Sequence, residues 1–510
     1  MNLRNITRHK VFLLSLVVFV FAFSLRVWNL NQAGQVWDEK SLLVDYAWHY
    51  VKDAKNLDFS TDFWWKGTPD HPPLVRYLRG LASLPDIKGW DNRGFPVYNY
   101  DLTYDRMLSV FLASFTAVMV FLIGSRYISL YSGFAAGIIF SMMPIPLGHS
   151  QIAMYEPFGL FFFTASMFAF FLFLEKPNKK RMTLSGIALG LALLSRETHL
   201  MLLPMMLIVI YLKNDCVKIK KLKLLICKTF ATFGIAFLTF FCLWPMPFFH
   251  LGWEFNYFIN LRVKTAGSIP EVLFGHMMLT PIYYYFLYAL ITTPFIILLL
   301  ALIGAKKIDR SRNWVWYSII LWFCFPFILS FYPKREQGIR YIIQITIPLA
   351  LIAAMGFETS VSKFVKKINY KLLLLIPLFL YQFIILLRIT PYYIDYFNVL
   401  VGGAKNVYGK HLFLLGWWGE GIREAFAYLD KNTPAGSTVG IATSPSHILP
   451  DLPGRKLIPY KDNGTYDFVV VNYYNIIREG FDDSMVRKNY KVVYSVMADG
   501  AHLVEVYKKK

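Results

Sequence analysis

The sequence predicts a polytopic α-helical membrane protein with about eleven transmembrane helices and a small extracytoplasmic α/β domain at its C-terminal end. Three observations predict this class. Of 510 residues, 56% are hydrophobic and 18% aromatic, an apolar content beyond that of soluble domains. Apolar stretches of roughly 20 residues, the length that crosses a bilayer, recur through the membrane part of the chain. Beyond residue 390 the pattern changes to short β-type runs around one amphipathic segment.

The expected crossings lie at 11–30, 107–124, 131–148, 157–174, 183–194, 199–212, 222–244, 282–303, 314–331, 341–357 and 372–387. The first resembles a cleavable signal in having Arg4, Arg8 and Lys10 ahead of an apolar run. It ends, however, in Arg26-Val27-Trp28-Asn29 rather than in small residues, so a retained helix is expected. Residues 183–212 are readable as one long helix or as two short ones. Two crossings hinged at Ser195-Arg196-Glu197-Thr198 keep that charged pair out of hydrocarbon and both flanking basic loops on one side.

Orientation follows from lysine and arginine. The loops at 176–181, 213–223, 306–312 and 363–371 are basic, and short basic loops stay cytoplasmic. With the N-terminus inside, segments 31–106, 149–156, 245–280, 332–340 and 391–510 fall outside. The net charge of +21 is then a product of topology, and nucleic-acid binding is not expected. The four cysteines, Cys216, Cys227, Cys242 and Cys324, all lie away from the outer segments and lack zinc-ligand spacing.

Two domains are expected: a membrane domain over 1–390, with its first outer loop at 31–106, and an extracytoplasmic α/β domain over 391–510. In the latter a glycine-containing linker (Gly402, Gly403, Gly409) leads to a helix at 420–431. Strands are expected at 438–442, 468–471, 492–496 and 503–507.

The chemistry-bearing residues cluster at outer ends of helices. Asp38-Glu39 opens the first outer loop; two adjacent acids at a lipid boundary are costly unless solvated or used. A carboxylate there can accept the proton of a hydroxyl nucleophile, and a departing lipid phosphate calls for nearby cations. Arg196, Arg262, Lys264, His276, Lys334, Arg335 and Arg340 qualify by topology. Arginine fits phosphate best through its planar, two-pronged donor set; Arg340, at the mouth of a helix, is the first candidate, and Arg196, a charge at a hinge between short helices, the next.

Each residue also has a structural explanation. Asp38 can cap a helix running through Leu42, Tyr46 and His49, while Glu39 can serve to tune its neighbour. His71-Pro72-Pro73 can simply turn the loop. Glu156 before Pro157 suits the first turn of a helix dipole, and the outer cations can snorkel to headgroups. Trp64-Trp65, Tyr283-Tyr284-Tyr285, Tyr392-Tyr393 and Trp417-Trp418 fit an interfacial aromatic belt.

The order of these motifs resembles the GT-C superfamily. Asp38-Glu39 follows the first helix, then come His71-Pro72-Pro73-Leu74, Glu156 after the third helix, Arg340-Tyr341 opening a late helix with Pro348 beyond it, and Tyr393-Ile394-Asp395-Tyr396-Phe397-Asn398 through Gly402-Gly403. The likeness is greatest to the dolichyl-phosphate-mannose–protein mannosyltransferase and aminoarabinose-transferase-like branch. It implies an integral-membrane glycosyltransferase that moves a sugar from a polyprenyl-phosphate carrier to a hydroxyl acceptor (protein, lipid or glycan) by an inverting displacement on the extracytoplasmic face. Asp38 matches the base, Glu39 the second acid, and Glu156 an acidic position where relatives often have Asp. The candidate substrate-binding residues are His71, Arg196, Arg340, Arg335, Lys264 and His276. No cofactor is required, and a divalent cation on the acid pair stays open. Two alternatives remain: a transporter or flippase of lipid-linked glycans, and a ligase or polymerase using a lipid diphosphate donor.

Overall fold

The computed structural model describes residues 8–39, 45–58, 71–92, 94–214, 219–244, 270–308, 314–332, 335–363, 365 and 373–510. Helix α1 (Arg8–Val27) is 20 residues long, about 30 Å at a rise of 1.5 Å per residue, which matches the hydrocarbon thickness. The first outer loop carries α2 (Asp45–Asn56), α3 (Leu74–Ala82) and a small hairpin, β1 (Ile87–Trp90) with β2 (Pro96–Tyr98). Helix α3 starts directly after His71-Pro72-Pro73, with Pro73 as its N-cap.

The bundle continues with α4 (Thr103–Tyr127), α5 (Leu130–Ser141), α6 (Pro144–Ser150), α7 (Glu156–Glu175), α8 (Lys179–Ser195), α9 (Leu202–Asn214) and α10 (Ile219–Leu243). An outer hairpin follows, β3 (Pro270–Leu273) with β4 (His276–Leu279). After it come α11 (Tyr284–Ile291), α12 (Phe295–Ile308), α13 (Trp314–Cys324), α14 (Thr346–Val361) and α15 (Leu375–Ile389). A 3-10 turn over Arg340–Ile345 feeds α14.

Among the described residues six helices are long and apolar enough to cross a membrane, and up to eight if each bent pair is one span. Each of the eleven expected stretches carries helix, but several are interrupted for local reasons. Helices α5 and α6 bend by 62°, where Pro144 removes a backbone donor. Helices α11 and α12 bend by 109° just before Pro294–Phe295. The stretch 183–212 is two helices, separated by Arg196 in extended backbone and a 3-10 turn over Glu197–Met201. The hinge therefore replaces a single continuous rod.

Close helix packing comes from small residues. Gly304 of α12 lies against the Ile352 carbonyl of α14, and Gly356 of α14 against the Leu300 carbonyl of α12. Any Cβ would collide with main chain at both, the device membrane helices use to bring backbones together. Helix α7 and the stretch from Arg340 through α14 are the most enclosed spans. Glu156 and Arg340 stand at their first residues.

The C-terminal part holds α16 (Gly403–Gly409), α17 (Ile422–Asn432), α18 (Tyr473–Ile477) and α19 (Ser484–Asn489) around a five-stranded sheet. Its strands are β5 (Thr438–Ala442), β6 (Lys456–Pro459), β7 (Phe468–Asn472), β8 (Tyr490–Ala498) and β9 (Ala501–Lys509), in the order β6-β5-β7-β9-β8. Strands β6, β5 and β7 run parallel, whereas β7–β9 and β9–β8 pair antiparallel. Strand β7 is buried throughout, as its Phe468-Val469-Val470-Val471 run requires. The mostly exposed edge strand β6 was not expected from the sequence. The outer hairpin ties onto this domain through a Leu273–Phe413 bridge and a Gly275 N–H donated to the Leu412 carbonyl (3.3 Å).

Candidate active site

The adjacent acids of the first outer loop diverge. Residues 37–39 form a helical turn, in which neighbouring side chains are about 100° apart. Asp38 faces outward, its side chain 18% exposed. Glu39 is fully enclosed and accepts four hydrogen bonds: from Arg106 Nε (2.7 Å), Arg106 Nη2 (2.7 Å), the Ala153 N–H (2.7 Å) and the Val36 N–H (3.2 Å). Arg106 also donates to the carbonyls of Leu30 and Gly34. Glu39 thus joins the segment after α1, α4 and the segment leading to α7, and is buried.

Glu156, at the first turn of α7, is also fully buried. Its Oε1 accepts from Arg340 Nε (2.6 Å) and Arg196 Nη1 (3.3 Å). Oε2 has no hydrogen-bond partner among the described residues, with His149 Nδ1 lying 4.0 Å away. Arg340 Nη1 reaches Asp38 Oδ2 (3.1 Å) and the Gln337 side-chain oxygen. The Arg340 guanidinium lies over Trp418 (4.4 Å to the ring centre), and Arg196 lies over Tyr341 (5.2 Å). The bend after α5 delivers His149, the hinge delivers Arg196, and the 3-10 turn before α14 delivers Arg340. Two guanidinium groups and two carboxylates thereby converge from four separate segments of the chain.

Asp38 opens onto a cavity of about 310 Å3, at the small end of ligand clefts. Its walls include Trp37, His149, Glu271, Glu336 and Gln337 of the membrane part, and Trp417, Trp418, Tyr474 and Arg478 of the C-terminal part. The Trp418 carbonyl accepts the N–H of Trp37, locking the tryptophan pair to the residue before Asp38 (2.9 Å). Burial pushes the Glu271 carboxyl up to about 7, against hydrogen bonds from Tyr284 and the Gln337 N–H that lower it.

The other expected residues are spread out. His71 Nδ1 is 2.9 Å from Glu197 Oε2 and its ring packs on Tyr155 (4.6 Å), so it braces the hinge beside Arg196 rather than the cavity. Arg335 is spent on main chain, donating to the carbonyls of Thr280 (3.1 Å), Ser330 (2.8 Å) and Tyr332 (2.6 Å). His276 stands exposed on β4 and does not line the cavity. Lys264, like Arg262, Lys334 and Trp64-Trp65, lies outside the described residues. So do residues 40–44, through which an Asp38-capped helix would run. Sequence reasoning missed His149, Glu271, Glu336, Gln337 and Arg478, and assigned Trp417-Trp418 to an interfacial belt.

Residues 16–256, just under half of the chain, match the family model described as dolichyl-phosphate-mannose-protein mannosyltransferase. No curated protein sequence matches the chain. Among solved structures, ArnT from Cupriavidus metallidurans bound to undecaprenyl phosphate is 12% identical with a TM-score of 0.51, covering 98% of each chain. The Archaeoglobus fulgidus oligosaccharyltransferase in the apo form is 13% identical with a TM-score of 0.50, covering 97% of this chain and 74% of its own. The protein therefore has the fold of the GT-C integral-membrane glycosyltransferases.

Proposed function

We propose that the protein transfers a sugar from a polyprenyl-phosphate carrier to an acceptor hydroxyl on the extracytoplasmic face of the membrane, with inversion at the anomeric carbon. The observation that carries this reading is the meeting of Asp38, Arg340, Glu156 and Arg196 beside a cavity open to Asp38. The family match and the carrier phosphate named in the ArnT structure both favour a donor with a single phosphate.

In this mechanism Asp38 takes the proton as the acceptor oxygen bonds to the anomeric carbon. The bond from that carbon to the phosphate oxygen breaks, and the electron pair leaves with the lipid phosphate. Arg340, with Arg196 behind it, supplies the positive charge for this leaving group. The cluster balances without substrate, since two arginines face two carboxylates. An incoming phosphate therefore competes with Asp38 for Arg340, and the exchange frees the carboxylate to act as base. Glu156 stays between the arginines and fixes their forks.

A division of labour follows, with residues 1–390 holding the donor and residues 391–510 covering the cavity on the acceptor side. Trp417, Trp418, Tyr474 and Arg478 lining the same cavity favour it. The basic loops favour an N-terminus in the cytoplasm and a C-terminal domain outside.

Among the described residues no group of three or more His, Cys, Asp or Glu side chains is placed to hold a metal ion, and Asp38 pairs with Arg340 instead. The mechanism routes no step through a cation. The test uses purified protein with a panel of polyprenyl-phosphate and polyprenyl-diphosphate sugars, with products analysed by mass spectrometry. Transfer from a monophosphate donor, lost in Asp38→Asn, is expected. Transfer only from diphosphate donors, or undiminished turnover by Asp38→Asn, overturns the reading.

A further inference from the structure

Arg340 depends on a loop that is itself held in an unfavourable shape. Gln337 and Gly338, just ahead of it, both have left-handed backbone (φ 58° and 61°). That conformation suits glycine, whereas glutamine adopts it only at a cost. Something must compensate, and the compensation comes from the outer hairpin. The Gln337 N–H donates to Glu271 Oε1 (2.7 Å), and the Gly338 N–H to the Tyr284 hydroxyl oxygen (2.9 Å). The Tyr284 hydroxyl in turn donates to Glu271 Oε2. Glu271 and Tyr284 are both buried, so these bonds are shielded from competing water.

The same loop is wired to the catalytic cluster. The Gln337 side-chain oxygen accepts from Arg340 Nη1, the nitrogen that also reaches Asp38. Turning the Gln337 peptide would withdraw this oxygen and reorient the start of the turn carrying Arg340. On its other side, the hairpin is gripped by the C-terminal domain, where Arg478 donates to the Pro270 carbonyl.

We propose that Glu271, with Tyr284, is a positioning residue that sets Arg340 against Asp38 by holding Gln337 and Gly338 in left-handed backbone. The proposal rests on the assignment of Arg340 and Asp38 to the transfer step. Glu271 also lines the cavity, but the role proposed here runs through Gln337 to Arg340.

A pH dependence accompanies this role. Glu271 is faced by Tyr284, Tyr285 and Tyr288 of α11, by Glu336 of its own loop partner, and by Tyr474 and Arg478 of the C-terminal domain. An ionised carboxylate offers two acceptor oxygens to its two donors. A protonated one turns one oxygen into a donor that opposes the Tyr284 hydroxyl. The latch is thus tightest above the Glu271 titration, which burial places at about 7.

The experiment compares wild type, Glu271→Gln, Glu271→Ala, Tyr284→Phe, Arg340→Ala and the Glu271→Gln/Arg340→Ala double variant. Each is purified in full length and assayed with the donor that the wild type uses. Glu271→Gln keeps one acceptor oxygen and nearly the same shape, so folding is retained. It is expected to lower kcat/KM about tenfold, the scale of one strong hydrogen bond. The wild-type rise in rate through pH 7 is expected to flatten in Glu271→Gln. On the Arg340→Ala background Glu271→Gln is expected to add nothing, because both changes act through one group. Tyr284→Phe should reproduce the loss if Glu271→Ala fails to fold. Multiplicative losses in the double variant, or wild-type rate and pH profile in Glu271→Gln, overturn the proposal. A wild type inactive with every donor overturns the functional reading instead.

Discussion

Replacing Glu39 by glutamine, beside the matched replacement of Asp38 by asparagine, separates architecture from chemistry at two adjacent acids. The Glu39→Gln change keeps the shape of the side chain but removes the charge that faces Arg106. Both partners are buried, with side-chain exposures of 1% for Arg106 and 0% for Glu39, and the other bonds of the guanidinium go to the neutral carbonyls of Leu30 and Gly34. Removing one member of such a pair costs about 3–5 kcal/mol, because the remaining charge is left in a medium that cannot solvate it. Two backbone donors, Val36 N–H and Ala153 N–H, lose a charged acceptor as well. For a chain of this size the midpoint of thermal unfolding in detergent should fall by about 3–5 °C. Asp38→Asn removes one exposed-side bond to Arg340, which keeps Glu156 and Gln337. Its midpoint should shift little, while turnover falls about 100-fold to 10,000-fold through loss of the proton acceptor. The paired assay is a melting curve and a transfer rate on the same preparations. Wild-type stability with abolished turnover in Glu39→Gln would place Glu39 in the chemistry and refute this division.

Arg340→Lys should raise the donor KM about 10-fold to 100-fold, since an ammonium cannot serve Glu156, Asp38 and the Trp418 face at once; an unchanged donor KM in initial-rate measurements moves the phosphate contact to Arg196. Burial raises the Asp395 and Glu420 carboxyls, Glu420 to about 7 and Asp395 also through repulsion by Glu420. Acids whose folded pKa lies above the unfolded value contribute stability that is full below about pH 4 and lost as pH rises through 7, so melting points should decline across that window and Glu420→Gln should flatten the decline. Activity should persist in excess EDTA; its loss, restored by a divalent ion, would place a cation on Asp38 in the working enzyme.

What the sequence disclosed, and what it withheld, divides along physical lines. Hydropathy disclosed the long helices among the described residues because lipid imposes its demand residue by residue. Charge drew attention to Asp38, Arg196 and Arg340, since each stands beside an apolar stretch and needs a reason, whereas Glu156 entered only through the order of the motifs. The hinge at Ser195-Arg196 was legible on the same ground. Which of Asp38 and Glu39 faces the cavity was not, because that depends on how one helical turn is seated against Arg106, 67 residues away. His149 sat at the end of an apolar run and carried no sign that Pro144 would bend it inward. Glu271 lies in a short hairpin whose partner, the Gln337 N–H, is 66 residues further on, and its burial comes wholly from tertiary packing.

The site's construction explains why so few of its residues announce themselves. A phosphate site must be electropositive when occupied, yet a buried excess of positive charge is unstable when empty. Glu156 resolves this conflict by standing between Arg340 and Arg196 in the absence of substrate. Asp38 completes the neutralisation from the cavity side and is the more exposed of the two carboxylates. Exchanging Asp38 for a phosphate oxygen keeps Arg340 paired, so donor binding and release of the base become one event. An Asp38→Asn variant should then bind the lipid phosphate at least as tightly as wild type while failing to turn over, because the competing carboxylate is gone. Binding of polyprenyl phosphate measured by intrinsic tryptophan fluorescence, with Trp418 stacked on Arg340 as reporter, checks this. Weakened binding in Asp38→Asn would show that the carboxylate orients Arg340 rather than competing for it.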